Sequence, residues 1–409
     1  MVGKGAGMKT AKLLSFTVAN YKSFYAPQTF DFTDKGGAPR TLTVIYGPNS
    51  SGKSNSACAL QDFRGSIINS SSANWRLPYA PFLLREGAAG KPTTFKAVFS
   101  LEGRRYSYSF SFVADHITEE ELKAESPKTG RMNLVFHRGE GGVDSKAASK
   151  NGFGHGLEEK TRPETLLITK AREDNNPYSA VVFALIESTP VVLDRGPDFS
   201  PQFVEMLKGN EDLRTRILKL LRNCDFAIRD IAIGETKLPE ELLSVLPLPV
   251  EAKQMLAATG GTTFSTLHAV RDEELSIVGM GAMDFWTQES NGTRKFFEMA
   301  VPIVNAIDNG YTLYLDEYGT YLHPNLAKAL VSLFKNDENK TGARLIVNTQ
   351  STSLMGDGFE RDDIVLVEKG MEEESRVTPL KDRGARTTEP LEGRYLRGLY
   401  GAVPRVRDR

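Results

Sequence analysis

The feature that most constrains the fold of this chain is the loop at positions 47 to 54. It reads Gly-Pro-Asn-Ser-Ser-Gly-Lys-Ser and follows directly on the apolar run Leu42–Tyr46. The pattern GxxxxGK[ST] is that of a phosphate loop, in which glycines let backbone N–H groups face an anion between a strand and a helix. The sequence therefore predicts a strand at 42–46, a helix over Ser56–Phe63, and an α/β fold that binds a nucleoside triphosphate.

The residues of this loop have distinct predicted roles. Lys53 is expected to reach the β and γ phosphates and to act in catalysis, and the Ser54 hydroxyl is expected to ligate Mg²⁺. Further contacts with the nucleotide are predicted at the neighbouring positions Gly47, Asn49, Ser51, Gly52 and Asn55.

A second motif lies roughly 260 residues further along, where the apolar run Thr312–Leu315 ends in Asp316 and Glu317. A carboxylate at the end of a buried parallel strand can hold Mg²⁺ through water, which is the role predicted for Asp316. Glu317 is expected to orient or deprotonate the attacking water. We expect this strand to lie next to the phosphate-loop strand. An acidic pair alone is equally typical of a helix N-terminus, but its combination with a phosphate loop favours the nucleotide site.

The segment between these motifs contains Ser290 and Gly292 at the predicted start of a helix. A helix start presents free backbone N–H groups, and here also a hydroxyl, to an anion such as a γ-phosphate. The alternative is a serine-capped helix that binds no ligand. The flanking motifs favour the phosphate-binding interpretation.

The bulk composition excludes several classes of protein. The chain has 409 residues, 40% of them hydrophobic, and a formal net charge of −1. These values are typical of a globular protein with a sizeable core, and they provide no global basic field for nucleic-acid binding. No apolar run approaches the roughly 18 to 20 residues of a membrane span, and no apolar signal core stands at the N-terminus. We therefore expect a cytoplasmic location and no membrane partner.

The pattern along the chain indicates three segments. Alternating apolar and polar residues predict strands at Leu13–Asn20 and an antiparallel set over Thr93–Val113. Helical spacing predicts a middle insertion with helices over Pro201–Cys224 and Pro239–Leu256. The predicted segments are an N-terminal lobe with the phosphate loop and an antiparallel β subdomain (1–135), an insertion and helical region (136–285), and a C-terminal lobe (286–409).

In this order the motifs resemble those of the ABC-type ATPase heads of the RecF/SMC/OLD superfamily. The resemblance rests on the phosphate loop, the Ser-x-Gly-Thr signature at 290–293, and an Asp-Glu pair followed by Leu-His-Pro at 322–324. The start Asn20–Phe24 is similar to the start of those heads. The tail Leu396–Pro404 is similar to that of the stand-alone RloA/AbiLi type, which is encoded in bacterial anti-phage defence loci together with the related PARIS ATPase.

The resemblance implies a fold, cofactors and partners. The expected fold is an ABC-ATPase head, with a mixed β-sheet around the phosphate-loop helix, an antiparallel β subdomain and a short helical insertion. The expected cofactors are ATP and Mg²⁺. The expected assembly is a homodimer, or a higher homo-oligomer, in which the loop and acidic pair of one protomer face the signature of its partner across ATP. A separate effector, a TOPRIM-type or RloB-like nuclease, and a phage-protein trigger are the other expected partners.

Two residues need separate comment. Gln350 follows the run Leu345–Thr349 at the position where the family usually has a switch histidine. We predict that its amide senses the γ-phosphate and takes part in catalysis, but an amide has no titrating nitrogen, so slow turnover is expected. His323 is either a residue of the dimer interface or a histidine that caps a turn.

Two other functions are compatible with the same motifs. One is a RecF-like repair ATPase that grips duplex DNA, for which the basic tail Arg394, Arg397, Arg405, Arg407 and Arg409 is suggestive. A solvated terminal run of charge is the simpler explanation of that tail. The other is a nucleotide-binding scaffold that never turns over, which Gln350 favours and Glu317 disfavours.

Overall fold

The computed structural model describes residues 10–143, 145–193, 201–236, 261–337, 339–356, 359–386 and 388–404. The helix predicted over 239–256 lies outside these residues. Contacts divide the chain into two compact units: the first comprises the described residues of 1–194, 306–320 and 330–409, and the second those of 195–305 and 321–329. The three predicted segments, with boundaries after 135 and 285, divide the chain differently from these two units. The predicted boundaries stay a prediction.

The strands are numbered in chain order. They are β1 Lys12–Ala19, β2 Gln28–Asp31, β3 Leu42–Tyr46, β4 Thr93–Leu101, β5 Arg104–Phe112, β6 Ile117–Glu125, β7 Met132–Gly139, β8 Gly142–Val143, β9 Val191–Val192, β10 Ile228–Thr236, β11 Gly261–Arg271, β12 Ile277–Asp284, β13 Thr312–Leu315, β14 Arg344–Thr349, β15 Ile364–Lys369 and β16 Ser375–Pro379.

The α-helices are numbered in the same way. They are α1 Lys53–Asn69, α2 Ser145–Lys150, α3 His155–Glu158, α4 Leu167–Glu173, α5 Pro177–Glu187, α6 Pro201–Leu207, α7 Glu211–Asn223, α8 Asn291–Asn309, α9 Pro324–Lys335 and α10 Leu391–Leu396. Short 3₁₀ turns lie at Ala88–Gly90, Thr352–Leu354, Arg361–Asp363 and Leu380–Arg383. None of the described helices is long and apolar enough to cross a membrane.

A mixed six-stranded sheet carries the phosphate loop. Its strand order is β16-β15-β3-β14-β13-β9, and every neighbouring pair is parallel except the edge pair β15–β16. All five residues of β3 are buried, as expected for a central parallel strand covered on both faces. One sequence expectation is wrong: β13, which ends in the acidic pair, is not adjacent to β3, because β14 lies between them.

A second sheet has seven strands in the order β2-β1-β4-β5-β6-β7-β8, and all of its pairs are antiparallel. It includes the strands predicted at 13–20 and 93–113, with the turn at Glu102–Gly103 in left-handed conformation. The core of this unit joins α1 to both sheets. Phe63 of α1 stacks on Phe110 at 5.6 Å and meets Phe16 edge-on at 5.6 Å, while Ile45 of β3 belongs to the same buried cluster.

These two sheets confirm the predicted fold class, an α/β fold in which a mixed sheet with its phosphate-loop helix is joined by an antiparallel β subdomain. The helix after the loop is longer than predicted, because it begins at Lys53 and continues to Asn69. Its first turn is therefore part of the phosphate loop itself.

The second unit holds more than the helices predicted for the insertion. The predicted helix at 201–224 is present as two helices, α6 and α7, and Asn210 caps the second by accepting the Leu213 N–H at 3.0 Å. The sequence analysis did not foresee the antiparallel sheet that follows, in the order β10-β11-β12. The unit also contains α8 as far as Asn305 and α9 as far as Ala329.

Candidate nucleotide site

The glycines of the phosphate loop are required by close packing. A Cβ at Gly47 would lie 2.1 Å from the carbonyl oxygen of Val367 in β15. A Cβ at Gly52 would lie 2.2 Å from Ser375 Oγ of β16, and Gly52 has a φ of +105°, in the left-handed region that favours glycine. The loop is therefore pressed against the neighbouring strands, and its peptide groups are held in place without a ligand.

Polar contacts from outside the motif hold the loop as well. Ser375 Oγ donates to the Ser51 carbonyl at 2.6 Å, and the Ser375 N–H donates to the Ser23 carbonyl at 2.8 Å. Asn55 Nδ2 donates to Ser23 Oγ at 2.7 Å. Ser23 lies in the segment Asn20–Phe24 that the resemblance had singled out, whereas no signal in the sequence points to Ser375.

Lys53 lies at the start of α1 with only 5% of its surface exposed. Its Nζ donates to the carbonyls of Gly47 at 2.6 Å and Pro48 at 3.0 Å. Burial lowers the pKa of the ammonium, and the nearby carboxylates of Glu317 and Asp316 oppose that shift. The ammonium is thus held at the start of the loop by two carbonyl groups. A bound phosphate would replace these carbonyls as its hydrogen-bond acceptors.

The two predicted metal ligands come together. The side chain of Ser54 interacts with the carboxylate of Asp316, which is 8% exposed at the end of β13. Burial raises the pKa of Asp316, and the neighbouring side chains of Asn348 and Ser54 oppose that shift. A hydroxyl and a carboxylate are ligands that Mg²⁺ prefers beside substrate phosphates.

A buried amide that the sequence analysis missed organises this pair. Asn348, at 1% exposure in β14, donates from Nδ2 to Asp316 Oδ1 at 2.9 Å and to the Lys53 carbonyl at 2.8 Å. Its Oδ1 accepts the Tyr314 hydroxyl at 2.9 Å, and that hydroxyl is 2.6 Å from Ser56 Oγ. Because β14 lies between β3 and β13, one side chain reaches both motifs. The only signal in the sequence is that Asn348, a polar residue, directly follows the apolar run 345–347.

Glu317 and Gln350 face the loop across a cavity of about 450 Å³ lined by 49–55 and these two side chains. Gln350 Nε2 lies 3.3 and 3.4 Å from the two carboxylate oxygens of Glu317. Glu317 has a φ of +50°, a strained conformation for a residue with a side chain. The predicted base Glu317, the predicted sensor Gln350 and the phosphate loop therefore line the same cavity.

The residues of the first unit fit a nucleotide with Mg²⁺. Ser51, which lines the cavity, has an Oγ that is buried without a hydrogen-bond partner among the described residues. Ser54 and Asp316 would supply the oxygens for the metal. The roles of the individual residues in binding and catalysis stay predictions.

The signature residues lie in the second unit. Ser290 caps α8: its Oγ accepts the Thr293 N–H at 3.1 Å and lies 2.8 Å from Thr293 Oγ1. The predicted helix start is confirmed. A Cβ at Gly292 would make only ordinary contacts, at 3.7 Å from Ser290 Oγ and the Tyr321 carbonyl. The unit's own packing therefore does not require glycine here.

The remaining candidates have local structural roles. His323 Nδ1 accepts the Asn325 N–H at 3.2 Å, so this histidine caps the start of α9. In the basic tail, Arg394 Nε donates to the Tyr400 hydroxyl at 3.1 Å and lies 3.1 Å from Glu389 Oε2. The other tail arginines at 405, 407 and 409 lie outside the described residues.

Comparison with known proteins agrees with a phosphate-loop ATPase. Residues 42–174 match the family described as "AAA domain, putative AbiEii toxin, Type IV TA system". The match begins with β3, includes the phosphate loop and ends before β13, so it covers one of the two motifs of the site. The chain carries an ATPase-type nucleotide-binding fold. None of the curated proteins compared with the chain matches it.

Two solved structures show a distant likeness. The SMC head domain from Thermotoga maritima is 15% identical with a TM-score of 0.43, covering 90% of this chain and 98% of that one. The Smc head domain with an extended coiled coil bound to the C-terminal domain of ScpA, from Pyrococcus furiosus, is 12% identical with a TM-score of 0.45, covering 91% and 98%. Both likenesses are too distant to support an inference about this chain.

Proposed function

We propose that this chain is an ABC-type ATPase that binds and hydrolyses ATP and that associates with a second copy in an ATP-dependent manner. The observation that carries the proposal is that Asn348 ties the carboxylate of Asp316, at 2.9 Å, to the first turn of α1 beside Ser54, through the Lys53 carbonyl at 2.8 Å. In phosphate-loop nucleoside triphosphatases a hydroxyl at this position and a carboxylate at the end of a nearby strand hold Mg²⁺. The same two groups meet here beside a loop shaped for phosphates.

The chain's own residues divide the work of hydrolysis. Lys53 exchanges its two carbonyl acceptors for phosphate oxygens when the nucleotide enters. Ser54 and Asp316 would hold Mg²⁺, which would supply neutralisation of phosphate charge. Glu317, at the edge of the cavity, orients and deprotonates the attacking water. Gln350 keeps Glu317 in position but cannot accept a proton, so turnover is slow relative to binding.

The second half of the proposal concerns assembly. Ser290 and Gly292 stand at the N-terminus of α8, where unpaired N–H groups and the helix dipole favour an anion. We propose that these residues contact the γ-phosphate bound to another copy, so that two chains complete each site. ATP then shifts the population toward the dimer because it binds the closed dimer more tightly than the open protomer.

We further propose that the chain is a sensor and regulatory scaffold for a separate effector of nuclease type in anti-phage defence. Support comes from the toxin–antitoxin description of the family that matches residues 42–174 and from the similarity of the tail Leu396–Pro404 to the RloA/AbiLi type. A phage protein would act as the trigger by changing the balance between protomer and dimer.

The test is mass photometry with ATP and Mg²⁺ on the wild type, Glu317→Gln and Lys53→Ala, with phosphate release followed in parallel. Glu317→Gln should retain ATP without hydrolysing it and accumulate as the larger assembly. Lys53→Ala should stay small, because its phosphate contacts are lost. Assembly that is the same in all three proteins and independent of ATP would contradict the switch and favour a constitutive scaffold.

A further inference from the structure

Among the residues that the structure describes, the three-stranded sheet of the second unit has an edge strand that no other strand covers. β12 pairs with β11 on one side, and no described strand pairs with its other side. Between Ile277 and Met283 the strand contains no charged residue and no proline. Edge strands of native proteins usually carry such residues, because an open row of N–H and C=O groups is a template for a further strand. β12 is therefore open to main-chain pairing.

The side chains around this edge are apolar and exposed. In β12 itself, Val278 is 63%, Ile277 54% and Met280 50% exposed. Successive residues of a strand point to opposite faces, so apolar surface is exposed on both faces of the edge. A Cβ at Gly279 would have nothing within 4 Å, which leaves room for another backbone. A contiguous apolar patch of this kind marks an interaction site, and methionine adapts to varied partners.

The charges near the edge select among possible occupants. The turn between β11 and β12 carries three exposed acidic residues, Asp272, Glu273 and Glu274. Antiparallel pairing of two β12 strands would place this acidic turn of each copy beside the Asp284 end of the other, where it meets more acid. A strand flanked by lysine or arginine at the end nearest the turn gains from the same charges.

We propose that β12 is the docking site for an extended segment of a different protein, apolar along its length and basic at the end that meets Asp272–Glu274. Such a segment would bind by adding a strand to the sheet, with main-chain hydrogen bonds for affinity and alternate side chains for specificity. The proposal rests on the proposed function in one respect, since this partner would be the effector. Docking itself needs no nucleotide.

The neighbouring strand connects this edge to the signature. Thr266 Oγ1 of β11 donates to Glu289 Oε1 at 2.5 Å, and His268 Nε2 lies 2.9 Å from the same oxygen. Glu289 directly precedes Ser290, the cap of α8, and His268 is paired with Gly281 of β12. A strand added at β12 is thus one strand away from the side chains that hold the start of α8.

An aromatic cluster strengthens this connection. Phe264 of β11 packs on Phe285 at 4.7 Å, and both contact Phe297 of α8, at 5.8 and 5.2 Å. The sheet and the signature helix therefore share an aromatic core within this unit. Glu289, Thr266 and His268 are positioning residues, through which docking at β12 would change the signature's contact with nucleotide.

Docking is tested on the full chain with two fluorescent peptides of alternating valine and threonine, one with a lysine cluster at one end and one with a glutamate cluster. We expect the lysine peptide to bind, measured by anisotropy, and to protect the β12 amides from hydrogen exchange. Val278→Asp should weaken it by roughly tenfold or more, and Glu273→Lys with Glu274→Lys should transfer the preference to the glutamate peptide. The matched control is Met132→Asp, at a 41% exposed methionine of β7, which should bind as wild type.

The results separate this proposal from the proposed function. Lys53→Ala should bind the lysine peptide unchanged, even where ATP-dependent assembly fails. Equal binding of both peptides, or equal effects of Val278→Asp and Met132→Asp, would overturn the docking site. A nucleotide-independent dimer that Val278→Asp abolishes would identify a second copy as the occupant and overturn it as well. The coupling predicts that the peptide changes the ATPase rate of wild type but not of His268→Ala, and an equal change in both would refute it.

Discussion

Gln350 Nε2 lies 3.3 Å from Glu317 Oε2, so the side chain at the switch position contacts the side chain predicted to activate water. An amide keeps the same hydrogen-bonding character at every pH, because it has no titrating group. A histidine in its place would donate to the carboxylate in the same way but would also titrate near pH 6.5. A histidine at this position would therefore place a titrating group beside Glu317.

Replacing Gln350 by histidine should introduce a titration that the wild type lacks. Glu317 would raise the pKa of the new imidazole, so the ATPase rate of Gln350→His should show a titration between about pH 6 and 8 that the wild-type profile lacks. Steady-state phosphate release across this range measures the difference. Gln350→Ala is the control, because it removes the amide without adding a titrating group. Identical profiles for wild type and Gln350→His would show that this position does not act on the reaction.

Removing the buried amide of Asn348 should destabilise the first unit. Asn348→Ala leaves the Tyr314 hydroxyl, the Asp316 carboxylate and the Lys53 carbonyl each with one partner fewer. Each buried group left unsatisfied costs about 1–3 kcal/mol, so the free energy of unfolding should fall by at least about 2 kcal/mol. Urea unfolding measures this. Asn325→Ala, at the exposed start of α9, is the control, and an equal loss there would contradict a structural role for the network.

The sequence predicts most of the site because its motifs are local. The sequence predicts each motif at the end of a strand or the start of a helix. In the structure the loop lies between β3 and α1, the acidic pair follows β13, and Ser290 precedes α8. The position of Asn348 depends on strand order, and no local pattern shows that β14 lies between β3 and β13. The contact of Ser375 could not be predicted for the same reason. Ser375 contacts the loop only because β16 pairs with β15. The β10–β12 sheet was missed because its residues have little burial contrast, as the exposed β12 illustrates.

A methyl group at Gly52 should strain the phosphate loop. The Cβ would clash with Ser375 Oγ at 2.2 Å and Ser23 Oγ at 2.6 Å, and the backbone has a φ of +105°. Left-handed backbone alone costs a residue with a side chain about 1–2 kcal/mol, so Gly52→Ala should lose about 2 kcal/mol or more in stability. ATP affinity should fall too. Gly90→Ala, where a Cβ would have nothing within 4 Å, is the control and should stay within about 0.5 kcal/mol of wild type.

Lys12 predicts a pH dependence of stability. Its Nζ donates to the carbonyls of Gly310 and Gly342, and burial together with Arg344 lowers its pKa from 10.5 to about 8. Between these values the unfolded chain binds the proton and the folded chain does not, so the free energy of unfolding rises with pH from about 8 to 10.5. Lys12→Met should reduce this rise by the contribution of Lys12, as measured by urea unfolding at several pH values. The same substitution at exposed Lys96 of β4 is the control, and an equal loss of slope in both would contradict the prediction.

Mixing two inactive variants should restore activity if each site is built from two chains. Lys53→Ala lacks the phosphate contact but keeps its signature, whereas Gly292→Asp keeps its phosphate loop and places a carboxylate where the γ-phosphate of another copy would approach. Each variant alone should have no ATP-dependent assembly.

A mixed dimer has one intact site, formed by the loop of the Gly292→Asp chain and the signature of the Lys53→Ala chain. Phosphate release should therefore reappear on mixing, rise with the fraction of mixed dimers and be greatest near equal amounts. A mixture of Lys53→Ala with Lys53→Ala, Gly292→Asp in one chain is the control, since it cannot form an intact site. Absence of recovery, with Gly292→Asp active by itself, would place the whole reaction in a single chain.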